Sequence, residues 1–317
     1  MVPTPTPTPP LFSAVICTYQ RYDRLTQAID SLLHQDIGQE HFDIWVMDNS
    51  PPSAERTRHR EKYAGLPHLH YIELDTPGLS NARNEAIRMS TGNIIVFMDD
   101  DARAVPSWLS HYRDAFTANP QASAIGGRIV PEFGAPRPSW LHDANLHSLS
   151  IFDHDTAPDN YQPCGANVAF RRPAFQHGLF RTSLGRQGAE NNNLMSGEES
   201  QLTEAIRKSG GSFAYAPLAA VTHLVPANRL TRSWFRKRAA WQAVSDQLQH
   251  TLKPEDASQL WPYMIQYITK VPREHVPFMG LFWDTDDPEL FRMQLVCTQF
   301  LTHIMISQGN YPPEMLR

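Results

Sequence analysis

Four times within its first 120 residues the chain passes from a short, strongly apolar run to a polar segment with helical periodicity, and no other feature limits its fold as tightly. "LFSAVICTY" (11–19), "FDIWVMDNS" (42–50), "LHYIEL" (69–74) and "NIIVFM" (93–98) have the length and the β-branched and aromatic content of buried strands. "RYDRLTQAIDSLLHQ" sets Leu25, Ala28, Ile29, Leu32 and Leu33 at helical spacing, and residues 53–64 read as a polar surface helix. "GLSNARNEAIRMSTG" predicts a helix from about Ser80, stopped near Gly92, and "PSWLSHYRDAFTANP" one with Pro106 in its first turn. Strand and helix in alternation imply a mostly parallel sheet with helices on both faces. Ligands of such sheets bind beyond the carboxyl ends of the strands, which here run into "CTYQR", "MDNS" and "MDDD".

Beyond residue 120 the regularity fades. "ASAIGGRIV" (122–130) and "CGANVAFRR" (164–172) read as strands, with a Pro-, Trp- and His-rich loop region between them. "EESQLTEAIRKSGG" (198–211) reads as a helix closed by Gly210, "SFAYAP" and "AAVTHLV" as two short strands, and 231–250 and 254–308 as largely helical. A hydrophobic fraction of 41% in 317 residues supports a substantial core. A net charge of −5 argues against a general nucleic-acid binder. Three scattered cysteines, Cys17, Cys164 and Cys297, suggest neither a disulfide framework nor a zinc site and fit a reducing compartment. No run of about 18 apolar residues predicts a membrane span. The start "MVPTPTPTPP" lacks the features of a signal peptide and reads as an extended Pro/Thr arm.

Asp99, Asp100 and Asp101 directly follow the fourth apolar run, and three adjacent carboxylates repel one another. Carboxylates at a strand end offer hard oxygen ligands of the kind Mg²⁺ or Mn²⁺ takes, with substrate phosphates completing the shell. A solvated acidic turn that caps the next helix is the alternative the triplet alone leaves open.

Seven segments in order, "AVICTYQR", "IWVMDNS", "GLSNARNEAI", "IIVFMDDDARAVPSWL", "CGANVAFRR", "GEESQLTEAIRKSGG" and "FAYAPLAAVTH", resemble the family-2 inverting glycosyltransferases of GT-A fold. The resemblance implies a nucleotide-diphospho-sugar transferase with a Rossmann-like sheet flanked by helices. It divides the chain into a flexible arm (1–10), a catalytic domain (11–225, its nucleotide-binding half 11–120 and its acceptor-binding half 121–225) and a helical C-terminal extension (226–317). It implies that Thr18, Tyr19 and Arg21 line the nucleotide, that Asp48 contacts the base and that Arg83 helps hold the nucleotide. Asp99 and Asp100 then bind the donor, Asp101 binds the metal, Mn²⁺ or Mg²⁺, and His223 adds a further ligand. Glu199 is the general base that takes the acceptor hydroxyl's proton, with Glu198, Gly165 and Asn167 on the acceptor and sugar side. Trp108 and Trp140 read more readily as packing than as sugar platforms.

The resemblance implies a metal-dependent enzyme that moves a sugar, most commonly from a UDP-sugar, to a hydroxyl acceptor in polysaccharide, glycolipid or other glycoconjugate synthesis. Two alternatives stay open: a non-catalytic nucleotide- or carbohydrate-binding relative, and a nucleotidyltransferase of similar fold. "NRLTRSWFRKRAAWQ" (228–242) reads as a segment that closes over the diphosphate, as a basic-aromatic surface for peripheral contact at the inner face of the membrane, or as a solvated basic face with aromatics packed inward. The location expected is cytoplasmic, no nucleic-acid partner is expected, and the oligomeric state is left open.

Overall fold

A computed structural model describes residues 11–186, 194–249 and 254–309, so the Pro/Thr arm expected over 1–10 lies outside the described residues. The chain forms two compact units. The first takes in residues up to 130, 153–182 and 198–223, and the second takes in 131–152, 183–197 and everything from 224 onward.

The first unit carries the predicted alternation: β1 (Phe12–Thr18), α1 (Tyr22–Leu33), β2 (Phe42–Asp48), α2 (Ala54–Lys62), β3 (Leu69–Glu73), α3 (Leu79–Met89) and β4 (Ile94–Asp99). There follow β5 (Ala102–Ala104), α4 (Trp108–Ala118), β6 (Ala122–Phe133), β7 (Asn167–Arg171), α5 (Glu198–Lys208) and β8 (Ser212–Val225). The sheet runs β3-β2-β1-β4-β7-β6-β8-β5. β1 pairs in parallel with both β2 and β4, and β2 with β3, while β7 joins β4 antiparallel, so the sheet is mixed.

Strand alternation explains the two covered faces. Val15, Ile95 and Phe97 pack with Ala82 and Ala86 of α3 and Leu202 and Ile206 of α5. Phe12, Ala14 and Ile16, which alternate with Val15, are equally inaccessible. In register, Thr18 sits opposite Asp48 and Cys17 opposite Asp99, so the polar strand ends finish at one level.

Three features differ from the expectation. β5 was not legible: three residues are too few to show a period, and the strand exists because it pairs antiparallel with β8. β8 is one strand of 14 residues rather than two, because the fixed φ of Pro217 is compatible with extended backbone and removes only one N–H donor. The helix over 53–64 is not purely a surface element: Arg56 and His59 are buried.

The second unit contains α6 (Arg232–Gln249), α7 (Pro254–Ile268) and α8 (Pro288–Ser307). One apolar cluster gathers Trp140, Leu149, Phe235, Phe291 and Leu295, and another Met264, Tyr267, Met293, Cys297 and Phe300. Among the described residues no helix is long and apolar enough to cross a membrane.

Candidate active site

The aspartate triplet sits on the turn between β4 and β5, and the neighbouring strand ends bring its counter-charges. The β5–β8 register pairs Ala102 with His223, which puts His223 Nε2 3.0 Å from Asp101 Oδ1. One ligand atom from each of Asp99, Asp101 and His223 falls within 4.8 Å of the others. His223 Nδ1 is buried without a hydrogen bond. From the loop after β1, Arg21 Nη1 donates to Asp100 Oδ1 at 3.0 Å and to Asp101 Oδ2 at 3.1 Å. Arg24 Nη1, one turn further along, stands 3.8 Å from Asp101 Oδ2. Thr18 Oγ1 donates to Asp100 Oδ2 at 2.7 Å. Between them Gln20 holds a left-handed φ of 55°, a locally costly conformation that turns the chain from strand to helix; its N–H donates to Ser50 Oγ. The three carboxylates therefore stay together because guanidinium groups hold them.

Arg83, on α3, is the second anchor. Its Nη1 donates to Glu199 Oε1 at 2.9 Å and to Glu198 Oε1 at 3.1 Å, and its Nη2 lies 3.6 Å from Asp99 Oδ1. The guanidinium rests over the rings of Phe180 and Phe97. Burial alone would lower the Arg83 pKa, yet the charges of Glu199, Glu198 and Asp99 raise it above its ordinary value. Gly165 makes this pairing sterically feasible: a Cβ there would lie 2.0 Å from Glu199 Oε1 and 2.6 Å from Arg83 Nη2.

The two glutamates opening α5 differ in environment. The Glu199 side chain is 21% exposed, whereas that of Glu198 is 4% exposed and its Oε2 makes no hydrogen bond. Burial and then the Glu199 charge push the Glu198 carboxyl up to about 8, against the pull of Arg83. Glu198, expected on the acceptor side, is a buried partner of Arg83.

Asn167 and Asp100 are likewise enclosed. Asn167 is 0% exposed: its Nδ2 donates to the carbonyls of Arg128 and Ala219, and its Oδ1 accepts from Trp108 Nε1 and Tyr112 Oη. All four hydrogen-bonding positions of the amide are taken, so no sugar hydroxyl can use it. Asp100 turns inward to Thr18 and Arg21 rather than toward a donor, and burial raises its carboxyl above the ordinary range against the pull of Arg21.

Asp48 is also enclosed. Its Oδ2 accepts from Tyr71 Oη at 2.8 Å and Tyr22 Oη at 3.2 Å, its Oδ1 accepts from the Ser50 N–H at 2.9 Å, and Arg56 Nη2 donates to its carbonyl. Tyr22, Arg24, Arg56 and Tyr71 escaped the sequence reading. Only the crowding of two tyrosines and several arginines near the strand ends hinted at them. Tyr19 is half-buried in the same loop. Trp108 and Trp140 are core residues, 0% and 6% exposed.

In the second unit Phe235 of the basic-aromatic segment is buried, while Arg236 bonds Asp284 and Gln294 and Arg232 bonds Asp286. Two of its cations are therefore neutralised by the unit's own acids, which favours the packed reading of 228–242.

Comparison with known proteins follows this geometry. Among curated relatives, a glucosyl-dolichyl phosphate glucuronosyltransferase of Haloferax volcanii is 26% identical over 311 residues, 94% of each chain. The succinoglycan biosynthesis protein ExoM of Rhizobium meliloti is 26% identical over 226 residues, 70% of each chain. In structure, the chain is similar to the mannosyltransferase PcManGT of Pyrobaculum calidifontis, solved in complex with GDP-Man and Mn²⁺. That match has a TM-score of 0.58 at 17% identity and covers 98% of this chain and 79% of that one. S. aureus TarS 1–349 matches with a TM-score of 0.51 at 16% identity, over 95% of this chain and 92% of that one. At such identities these two speak for the fold, and they share it: a mixed α/β sheet flanked by helices. The family described as "Glycosyl transferase family 2" matches residues 13–179, more than half of the chain, from β1 past β7. With the strand order, the acidic strand ends and full-length likeness to a glycosyltransferase, that match makes this chain a glycosyltransferase of family 2 with the GT-A fold.

Proposed function

We propose that the chain transfers a sugar, with inversion, from a nucleoside-diphosphate sugar to a hydroxyl acceptor, and that it does so with a divalent cation at Asp99, Asp101 and His223. The observation that carries this reading is that Asp99, one of these three ligands, lies 3.6 Å from the same arginine, Arg83, that holds Glu199. Two carboxylate oxygens and one imidazole nitrogen suit Mn²⁺ well and Mg²⁺ acceptably. A cation so held would offset the charge that collects on the departing diphosphate. Glu199 is the general base: Arg83 fixes its Oε1, and its partly exposed carboxylate takes the acceptor's O–H proton. The acceptor oxygen forms its bond to the anomeric carbon as the carbon–phosphate oxygen bond breaks on the opposite side, and the proton stays on Glu199. Asp48 holds the 48–50 loop in shape by accepting the Ser50 N–H, and that loop meets the base, while Arg21 faces the phosphates. Tyr19 lines the nucleotide.

The relatives named for a dolichyl-phosphate-linked sugar and for succinoglycan lead us to place the acceptor hydroxyl on a lipid-linked or polysaccharide glycan. A UDP-sugar is the first donor to test, with a GDP-sugar beside it. Three free thiols, all held well above their usual pKa by burial, fit a reducing, cytoplasmic setting.

A thermal-shift screen of UDP, GDP, ADP and TDP, each with and without Mn²⁺, tests the reading. One diphosphate should stabilise the protein only with the metal, by about 2.7 kcal/mol when present at a hundred times its Kd. Asp101→Ala should abolish that metal-dependent gain. A folded wild-type protein that gains nothing from any of them with Mn²⁺ overturns the proposal.

A further inference from the structure

We propose that Arg24, together with Arg21, is the chain's own counter-cation for the metal carboxylates, displaced when a divalent ion binds and then redirected onto the diphosphate. The inference rests on the metal-site reading above and adds a residue and an exchange to it.

Three observations support the exchange. First, the two arginines meet the carboxylate that the metal reading also uses. Arg21 Nη1 bridges Asp100 Oδ1 and Asp101 Oδ2, and Arg24 Nη1 is 3.8 Å from the same Asp101 Oδ2. Second, they are less enclosed than Arg83. Their side chains are 34% and 32% exposed, whereas that of Arg83 is 3% exposed, gripped by three carboxylates and lodged over two phenyl rings. Arg83 is a fixed strut, whereas Arg21 and Arg24 each keep about a third of the side chain open to solvent. Third, the elements confine where they can go. Arg21 ends the loop after β1 and Arg24 lies in the first turn of α1, both at the carboxyl ends of the parallel strands where the diphosphate must lie. A divalent ion adds two positive charges beside Asp101, so guanidiniums already there are repelled, and the incoming diphosphate offers them the nearest anion. Arginine suits that second role because its planar fork pairs with phosphate oxygens.

The test separates metal from nucleotide. Mn²⁺ binding to the full chain is measured without nucleotide, from the electron-paramagnetic-resonance signal of free Mn²⁺, for wild type, Arg24→Gln and Arg24→Lys. UDP and GDP binding is then measured by calorimetry at saturating Mn²⁺. Removing a competing cation should tighten Mn²⁺ binding in R24Q by roughly three- to tenfold, the lower figure reflecting solvent screening. The same variant should bind the diphosphate about tenfold more weakly, and R24K, which keeps the charge, should stay near wild type in its Mn²⁺ affinity. Arg24 is half-buried in the first turn of α1 and makes a single 3.8 Å ion pair, so R24Q should fold, which circular dichroism checks.

A purely structural Arg24 gives the opposite sign, since loosened carboxylates would bind Mn²⁺ more weakly. Unchanged or weaker Mn²⁺ binding in R24Q, or unchanged diphosphate binding, overturns the inference while leaving the site reading intact. A wild-type chain that binds no Mn²⁺ overturns both.

Discussion

At Gly165 the absence of a single methyl group decides whether Glu199, the proposed base, and Arg83 can meet. Gly165→Ala would drive its Cβ into Glu199 Oε1 and Arg83 Nη2, at 2.0 and 2.6 Å, and both groups must shift. Misplacing a catalytic group by about 1 Å costs on the order of a hundredfold, so kcat should fall by about that factor. The melting curve should stay close to wild type. A variant that transfers sugar at the normal rate would show that Glu199 does not need this position. At this scale the chemistry was partly legible. The aspartate triplet, the glutamate pair and Arg83 announce themselves by charge and spacing. Asn167 misleads because an amide serves a sugar hydroxyl and a backbone carbonyl equally well, and only its neighbours decide which. Arg24 and Tyr71 carry no signal, since a polar residue at a half-buried helix start or strand is ordinary until something charged lies opposite.

Asn167 belongs instead to the scale of elements. It ties β7 to the carbonyls of Arg128 on β6 and Ala219 on β8 and to Trp108 and Tyr112 on α4. Asn167→Ala leaves two buried donors and two buried carbonyls without that partner, at roughly 1–3 kcal/mol for each group that finds no substitute. A loss of about 3 kcal/mol or more is expected, read as a lower denaturation midpoint at unchanged slope. A loss under about 1 kcal/mol would mean that water replaces the amide. Most elements of the first unit were legible because each is a local pattern: apolar runs for β1 to β4, helical spacing for α1 and α3. β5 was not, and it matters most, because its pairing with β8 delivers His223 to Asp101.

Across the whole molecule, the buried Glu198 proton links the site to global stability. Its carboxyl is raised to about 8 in the folded chain from an ordinary value of 4.5. The native state therefore keeps a proton that the unfolded chain releases between those limits. Stability from this group is fully present below about pH 4.5 and is lost as pH rises through about 8. Glu198→Gln mimics the protonated form at every pH. Its melting temperature should gain on wild type steadily from pH 5 to pH 9, and parallel curves would refute a buried, protonated Glu198. What the sequence determined by itself was local: which segments become strands and helices, where strands end in acid, and which family these patterns resemble. What the tertiary structure alone decided was which distant charges meet. Thr18 and Arg21 come 79 or more residues along the chain to Asp100, Arg83 comes 116 to Glu199, and His223 comes 122 to Asp101. The reason is physical: periodicity reports a residue's neighbours within a few positions, whereas strand order and register, set by burial of the whole sheet, determine the partners of its charges.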